Sequence, residues 1–172
     1  YTADGVGRYT IWGDEGFAAT RLRLSEFATA QINAANGETL FLGSSGDDVL
    51  TGTAGIDVLF GRSGADVIDA GAGDDDIVHG PDYILADGGD GIDYLLPNSH
   101  YLIDLTVNNP YVNIETIDLW DWPSNTLIMD MEDVAQMGME NLLYADGTVQ
   151  LIVEGSIDDY LILNGQNLRE GN

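Results

Sequence analysis

Aspartate and glycine recur every nine residues in the middle of this chain, between residues 43 and 96. Six consecutive blocks of nine read GSSGDDVLT, GTAGIDVLF, GRSGADVID, AGAGDDDIV, HGPDYILAD and GGDGIDYLL. The fourth position is glycine at Gly46, Gly55, Gly64, Gly73 and Gly91. The sixth position is aspartate at Asp48, Asp57, Asp66, Asp75 and Asp93. Because the aspartate side chain is short, its oxygens stay near turn carbonyls, and together these oxygens suit a hard cation.

The elements that must position these carboxylates are short strands separated by turns. The eighth position of the blocks is apolar, at Leu50, Leu59, Ile68, Ile77, Ala86 and Leu95. The residues around it predict a strand with one side chain pointing inward, and glycine supplies the tight turns. Two blocks then form one coil of a parallel β-roll (a β-helix or solenoid), in which each block stacks on the block two places earlier.

Stacking of this kind brings the sixth-position carboxylates together in pairs. The expected pairs are Asp48/Asp66, Asp57/Asp75 and Asp75/Asp93. Turn carbonyls would complete an all-oxygen shell of about six to eight ligands, which suits calcium better than magnesium. We therefore predict a calcium-bound roll with about three regular calcium ions and room for further sites.

The fifth block departs from the pattern. It has lost its fourth-position glycine, and Ile84 stands where the sixth-position aspartate belongs. Asp66 should therefore lack a partner in that direction. Asp82 and Asp87, together with Pro81, are candidates for an irregular metal site at this point.

The blocks resemble the repeats-in-toxin (RTX) pattern G-G-x-G-x-D-x-U-x, where U is a large apolar residue. Five of the blocks match in unbroken phase. At an isolated Asp-Gly pair, a solvated turn would be the ordinary interpretation, but the periodicity argues against it. The resemblance implies a protein exported by type I secretion that folds outside the cell, where calcium binds only the folded state and stabilises it.

Composition agrees with cation binding and excludes other partners. The chain has 30 acidic residues against five arginines and no lysine, a net charge of −25. So many like charges oppose a compact state unless cations neutralise them, and nothing here would neutralise nucleic-acid phosphates. Because the chain has no cysteine, we expect bound metal rather than disulfides to stabilise it as an extracellular domain. We expect no membrane insertion, since no apolar run is long enough, and we expect a part of a longer polypeptide.

The segments on either side of the roll do not follow the nine-residue pattern. Residues 1–42 predict an N-terminal cap, with a strand or hairpin followed by a short helical stretch within Glu15–Asn36. Such a cap would cover the strand edge at the end of the roll. Residues 97–172 predict further strands packed on the roll, so that 1–42, 43–96 and 97–172 form one cooperative domain. The apolar positions expected in the C-terminal core are Leu102, Leu105, Ile114, Ile117, Leu127, Met129, Leu151, Val153, Leu161 and Leu163.

The C-terminal part resembles a segment that follows RTX repeats in very large bacterial surface adhesins, with a pattern near E-x-I-D-L and then N-x-T-L-x-x-x-x-x-D-V. The matching residues are Glu115, Ile117, Asp118, Leu119, Asn125, Thr126, Leu127, Asp133 and Val134. With the repeats, the resemblance covers about residues 43–168. It implies a cell-surface module that binds a peptide or a carbohydrate. The run from Trp120 to Pro123 and the insert from Gln136 to Asp146 depart from the pattern, and loop departures are places for a binding surface.

Catalytic motifs are not evident, so we do not expect an enzyme. No nucleophile elbow and no cysteine is present, and acids are too frequent for a carboxylate pair to carry meaning. Exposed aromatic residues would instead stack a sugar or anchor a peptide. The candidates for ligand binding are Trp120, Trp122, Tyr83 and Tyr101.

The leading hypothesis from the sequence is therefore an extracellular, calcium-dependent ligand-binding module of a bacterial RTX adhesin, with a peptide slightly favoured over a sugar. One alternative is a structural spacer or folding block without a ligand. Another is a non-catalytic repeat module of a secreted enzyme such as an alginate epimerase, although five arginines supply little of the basic groove that a polyanion needs.

Overall fold

The computed structural model describes residues 2–3, 8–10, 22–23, 29–33, 37–78, 80, 82–98, 102–120 and 124–164. Within this part of the chain the protein is mainly β, with one short helix. No helix among the described residues is long and apolar enough to cross a membrane.

The described residues before the repeats form strands. They are β1 (Thr2–Ala3), β2 (Arg8–Thr10), β3 (Leu22–Arg23), β4 (Ala30–Asn33) and β5 (Thr39–Leu42). Strands β1, β2 and β3 form a small antiparallel sheet. The helix predicted within Glu15–Asn36 is wrong where β3 and β4 lie, and the other residues of that segment are outside the described part. Strand β4 pairs antiparallel with β5 along four residue pairs, so a strand covers the first edge of the roll because its open hydrogen-bonding groups are satisfied that way.

Six short strands follow, one in each nine-residue block. They are β6 (Val49–Thr51), β7 (Asp57–Phe60), β8 (Val67–Asp69), β9 (Asp76–Val78), β10 (Leu85–Asp87) and β11 (Tyr94–Leu96). Even-numbered β6, β8 and β10 pair in parallel in one sheet, and β5, β7, β9 and β11 pair in parallel in another. This arrangement fits the predicted β-roll, in which two blocks make one coil.

The register shows how the apolar positions form a core. Leu50 lies beside Ile68, and Ile68 lies beside Ala86 in the next coil. In the other sheet Leu59 lies beside Ile77, which lies beside Leu95. All six eighth-position side chains are buried and belong to one hydrophobic cluster between the sheets. Burial of these stacked apolar side chains is the main favourable term holding the coils together.

After the repeats the coils continue but become longer. Their elements are β12 (Leu102–Asp104), β13 (Tyr111–Val112), β14 (Thr116–Asp118), β15 (Thr126–Asp130), α1 (Met131–Met137), β16 (Met139–Glu140), β17 (Val149–Gln150), β18 (Ile152–Glu154) and β19 (Tyr160–Asn164). Strand β13 extends the sheet of β10, and β14 and β18 extend the sheet of β11. Strands β12, β15 and β19 form a third parallel sheet, and β16 and β17 form a hairpin.

Five of the ten residues predicted for the C-terminal core are buried, and Leu151 and Val153 are partly buried against them. Leu102 is an exception, because Ile103 beside it takes the inward position and Leu102 is exposed. Leu161 and Leu163 align with the buried Leu127 and Met129 of β15. Their prediction as core residues is wrong, because both are exposed on β19, the last strand of its sheet within the described residues. The three-part division of the chain stays a prediction.

The fifth block keeps its strand but fills the core differently. Its eighth residue is Ala86, which is smaller than the leucine or isoleucine of the other blocks. Tyr83 turns inward, and its ring packs edge-to-face against Tyr111 with the ring centroids 6.5 Å apart. The Tyr83 hydroxyl accepts a hydrogen bond from the main-chain N–H of Gly61 (3.0 Å) and donates one to the carbonyl of Val78 (2.8 Å). Aromatic volume thus replaces the missing aliphatic volume.

Candidate metal sites in the roll

The sixth-position carboxylates stand above one another in two columns at the turns. The first column contains Asp48 and Asp66, and the second contains Asp57, Asp75, Asp93 and Glu115. In each step, the main-chain N–H of one acidic residue donates to a carboxylate oxygen of the next, over 2.8–2.9 Å. The regular steps span 18 residues, which is two blocks. The structure therefore brings together all three expected pairs of aspartates.

Three of the stacked aspartates each keep one carboxylate oxygen without a hydrogen bond. Asp66, Asp75 and Asp93 are fully buried, and the Oδ2 atom of each has no hydrogen-bond partner in the described part of the protein. A buried carboxylate oxygen without a partner costs several kcal/mol unless a cation compensates it. These three oxygens are therefore suited to metal coordination.

Hydrogen bonds from Ser44 and Thr53 explain why Asp48 and Asp57, in the first coil, have no partnerless Oδ2 atom. Asp48 Oδ2 accepts hydrogen bonds from the main-chain N–H of Ser44 (2.6 Å) and from its hydroxyl (2.9 Å). Thr53 contacts Asp57 in the same way, through its N–H and its hydroxyl. The later blocks have Arg62, Gly71 and Gly89 at this second position, none of which has a hydroxyl. The sequence analysis did not single out Ser44 and Thr53.

Burial also changes the acidity of these groups. Loss of hydration, together with the charges of nearby acidic side chains, raises the pKa of Asp75 to about 6 and the pKa of Asp93 to about 7. Burial likewise raises the pKa of Asp66 and of Glu115. For Asp66 the charges of Asp48, Asp47 and Asp82 act in the same direction. A divalent cation would reverse this effect, because it favours the ionised carboxylates.

The predicted glycines line the turns above and below the carboxylates. Gly64 and Gly73 adopt φ values of +125° and +131°, a region that other residues enter only with strain. A side chain at Gly64 would collide with the carbonyl of Gly46, and one at Gly73 would stand 2.8 Å from the carbonyl of Gly55. Gly91 packs on Gly73 in the same manner. The glycines thus let successive turns approach closely, which places backbone carbonyls beside the carboxylate columns.

A cation in these columns would be held by carboxylates and carbonyls together. No group of three or more acidic, histidine or cysteine side chains converges on one point among the described residues. Each pair supplies two carboxylates, so backbone oxygens must complete the shell. A site made only of oxygen ligands fits calcium. The buried Oδ2 atoms of Asp66, Asp75 and Asp93 are suited to be such ligands, because they have no hydrogen-bond partner in the described residues. Assignment of individual residues as calcium ligands stays a prediction.

The irregular site expected in the fifth block stays a prediction, and Pro81 lies outside the described residues. Asp82 is exposed and precedes β10, whereas Asp87 is the last residue of β10. Asp87 accepts a hydrogen bond from the side chain of Asn113 (2.8 Å). The first column ends at Asp66, as predicted, because Ile84 offers no carboxylate and is exposed.

The four aromatic residues predicted to bind a ligand differ in their positions in the structure. Tyr83 is wrong as a surface ligand residue, because it is buried and its hydroxyl is bonded within the core. Trp120 is 60% exposed, two residues after the end of β14. Tyr101 and Trp122 lie outside the described residues. Trp120 is therefore the one residue of these four that is exposed within the described part of the chain.

Glu115 is the main site residue that sequence reasoning missed. It continues the second column above Asp93, although it lies 22 residues away, outside the nine-residue period. Its only sequence signal was the acidic position just before a strand, which the sixth-position aspartates share. The register, in which Tyr94 aligns with Thr116, places it in the column.

Comparison with known proteins agrees with the geometry of the roll. The searches of curated proteins and of solved structures gave no match. Residues 42–77 match the family model described as RTX calcium-binding nonapeptide repeat (4 copies), which covers about a fifth of the chain. Repeats of this family bind calcium, are typically non-catalytic structural modules, and occur typically in secreted proteins. The chain therefore contains an RTX calcium-binding repeat module.

Proposed function

We propose that this chain is an extracellular module of a bacterial RTX adhesin that folds on binding calcium and then binds a ligand on a target surface. The observation that carries the calcium part is the set of buried, partnerless carboxylate oxygens of Asp66, Asp75 and Asp93. Without a cation the two columns place like charges next to one another in a buried environment. With calcium each pair becomes a neutralised link between successive coils.

The calcium-binding residues in this proposal are the stacked aspartates and the turn glycines. The acidic ligands are Asp48, Asp57, Asp66, Asp75 and Asp93, and the turns at Gly46, Gly55, Gly64, Gly73 and Gly91 lie beside them. Extracellular sites of this class have dissociation constants of about 10⁻⁴–10⁻³ M. The chain would then remain unfolded at the low calcium of the cytoplasm and would fold after export.

Removal of calcium tests this part. Circular dichroism of the chain in millimolar calcium should show a β spectrum, and excess EDTA should convert it to that of an expanded chain. Added calcium should restore the spectrum, whereas added magnesium at the same concentration should not. A β spectrum that is unchanged in EDTA would contradict calcium-dependent folding.

The ligand-binding part rests on the C-terminal coils. Trp120 is exposed there, and a polar groove of about 240 Å³ lies between the turn after β12 and the start of α1. Its polar lining includes Asn108, Asp130 and Gln136. The groove is small, which suits a short segment rather than a whole folded partner. The resemblance of this part to surface adhesins is the second support.

A peptide is favoured over a sugar for one structural reason. Strand β19 is five residues long, exposed, and last in its sheet within the described range. Extended peptides bind to such strands through main-chain hydrogen bonds. Peptide and glycan arrays probed in calcium test this choice, with a Trp120→Ala variant as comparison. Binding to peptides supports the proposal, binding only to glycans replaces the peptide by a sugar, and no binding to either favours a structural spacer.

A further inference from the structure

The second carboxylate column continues beyond the nine-residue repeats. Register between β11 and β14 aligns Tyr94 with Thr116 and Leu95 with Ile117, so Glu115 occupies the place above Asp93. We propose that Asp93 and Glu115 bind a further calcium ion, which joins the repeat roll to the C-terminal coils. This inference rests on the proposed calcium binding of the columns and adds a site to the three pairs of aspartates.

The hydrogen bond between the two residues repeats the pattern of the regular pairs. The main-chain N–H of Asp93 donates to Glu115 Oε2 over 2.9 Å. In the regular pairs the N–H of Asp75 donates to Asp93 Oδ1 over 2.9 Å, and that of Asp57 donates to Asp75 Oδ1 over 2.8 Å. Glu115 therefore presents its carboxylate to the coil before it as the aspartates do.

A difference in turn length explains why a glutamate stands here. Between β10 and β11 the corner runs from Gly88 to Asp93, whereas between β13 and β14 it is only Asn113 to Glu115. The shorter corner needs a left-handed residue, and Asn113 has φ +51°, which asparagine tolerates. The additional methylene of glutamate lets its carboxylate reach the column from this tighter corner.

A backbone carbonyl also lies in the place that the regular sites use. At Gly52, a side-chain carbon would collide with the carbonyl oxygen of Ala70 and would stand 2.8 Å from Asp57 Oδ2. At Gly88, it would collide with the carbonyl oxygen of Asn113 and would stand 2.6 Å from Asp93 Oδ2. The carbonyl of Asn113 thus takes the place of the turn carbonyl of a regular block. One carbonyl and two carboxylates then face the same region.

The acidic groups around Asp93 favour the binding of a cation. Asp93 is fully buried and its Oδ2 has no hydrogen-bond partner in the described coils. Glu115 is also buried. The charged groups that act on Asp93 are the acids Asp75, Glu115 and Asp74. A carboxylate oxygen that is buried among acids and aimed at a backbone carbonyl is stabilised by a divalent cation, and an all-oxygen set favours calcium.

The position of the site suggests its role. Asp93 belongs to the last nine-residue block, and Glu115 precedes the strand that carries the sheet into the longer coils. A calcium ion between them would make the folding of residues 102–164 depend on calcium, although the nine-residue repeats end before this segment. The C-terminal coils would then be ordered together with the roll.

Counting bound calcium tests the inference on the whole chain. Glu115→Gln keeps the size of the side chain and an acceptor for the Asp93 N–H but removes the charge. Glu154→Gln is the matched control, because Glu154 lies exposed at the end of β18. Native mass spectrometry in calcium should show one ion fewer for Glu115→Gln than for the unchanged chain. The control should bind the same number as the unchanged chain.

A second measurement does not depend on the folding of the variant. In the unchanged chain folded in calcium, the ¹³C resonance of the Glu115 side-chain carboxyl should shift when strontium replaces calcium, and that of Glu154 should not. Equal ion counts for Glu115→Gln and the unchanged chain, or a Glu115 resonance that the exchange of calcium for strontium leaves in place, would overturn this site alone. Absence of any calcium binding by the unchanged chain would overturn the proposed function as well.

Discussion

Replacing Asp75 by asparagine should weaken the protein more than the same change at Asp48. Asp75 stands in the middle of its column, where it pairs with Asp57 on one side and with Asp93 on the other. Asp48 pairs with Asp66 alone, to which its main-chain N–H donates, and its Oδ2 accepts hydrogen bonds from Ser44. Asparagine keeps the acceptor for the main-chain N–H and removes only the charge. The comparison therefore isolates the number of calcium ions that each carboxylate holds.

The size of the effect follows from the binding of calcium to the folded state. One site with a dissociation constant of about 10⁻⁴ M at about 2 mM free calcium stabilises the fold by about 1.8 kcal/mol. Asp48→Asn affects one pair and should lower the free energy of unfolding by up to about 1.8 kcal/mol. Asp75→Asn affects two pairs and should lower it by up to about 3.6 kcal/mol.

Urea unfolding at about 2 mM free calcium, followed by circular dichroism, measures these differences. Asp69→Asn is the control, since Asp69 is exposed at the end of β8 and belongs to neither column. Its free energy of unfolding should change by no more than about 0.5 kcal/mol. Equal losses for Asp48→Asn and Asp75→Asn would refute the pairing between coils. A loss at Asp69 as large as at Asp75 would show that net charge, rather than site geometry, is being measured.

Two further predictions concern protons and the fifth block. In the fold without a bound cation, burial and neighbouring acids raise the pKa of Asp75 to about 6 and the pKa of Asp93 to about 7 from 3.8, so a rise in pH from about 4 to about 7 destabilises this fold relative to the unfolded chain. In calcium-free buffer, circular dichroism should therefore show more β structure at about pH 4.5 than at about pH 8; the same spectrum at both would contradict the burial of these carboxylates. Tyr83→Phe removes the acceptor of the buried Gly61 N–H and should lower the free energy of unfolding by about 1–3 kcal/mol, measured by urea unfolding in calcium. Tyr160→Phe, at an exposed position, should change it little, and equal effects of the two variants would contradict the buried hydrogen bonds.

The strands and the regular carboxylate pairs could be predicted because their cause is local and periodic. Each nine-residue block carries its own glycine turn, its own aspartate and its own apolar residue, as in GTAGIDVLF. Once two blocks make a coil, the neighbour of Asp57 must be Asp75, and the neighbour of Leu59 must be Ile77. The inward direction of the eighth residue follows from the alternation of side chains along a strand.

The N-terminal segment shows where local preference was overruled. Its alanine content predicted a helix, but Ala30–Asn33 forms β4. The first strand of the roll presents open N–H and carbonyl groups, and pairing with them gives hydrogen bonds that intrinsic preference does not consider. Tyr83 was misjudged for a related reason, because only the small Ala86 in the packed core gives its ring an inward place.

The sequence alone determined the repeat, its apolar core positions and the aspartate columns, because each of these depends on spacing within a few residues. Only the tertiary structure decided which groups extend or end those columns. Glu115 joins Asp93 through a change of coil length that no fixed period reveals. The Oδ2 atoms of Asp66, Asp75 and Asp93 become buried without a hydrogen-bond partner only when the coils stack. The physical reason is that burial and register are properties of neighbouring coils, and they arise after the chain has closed each turn.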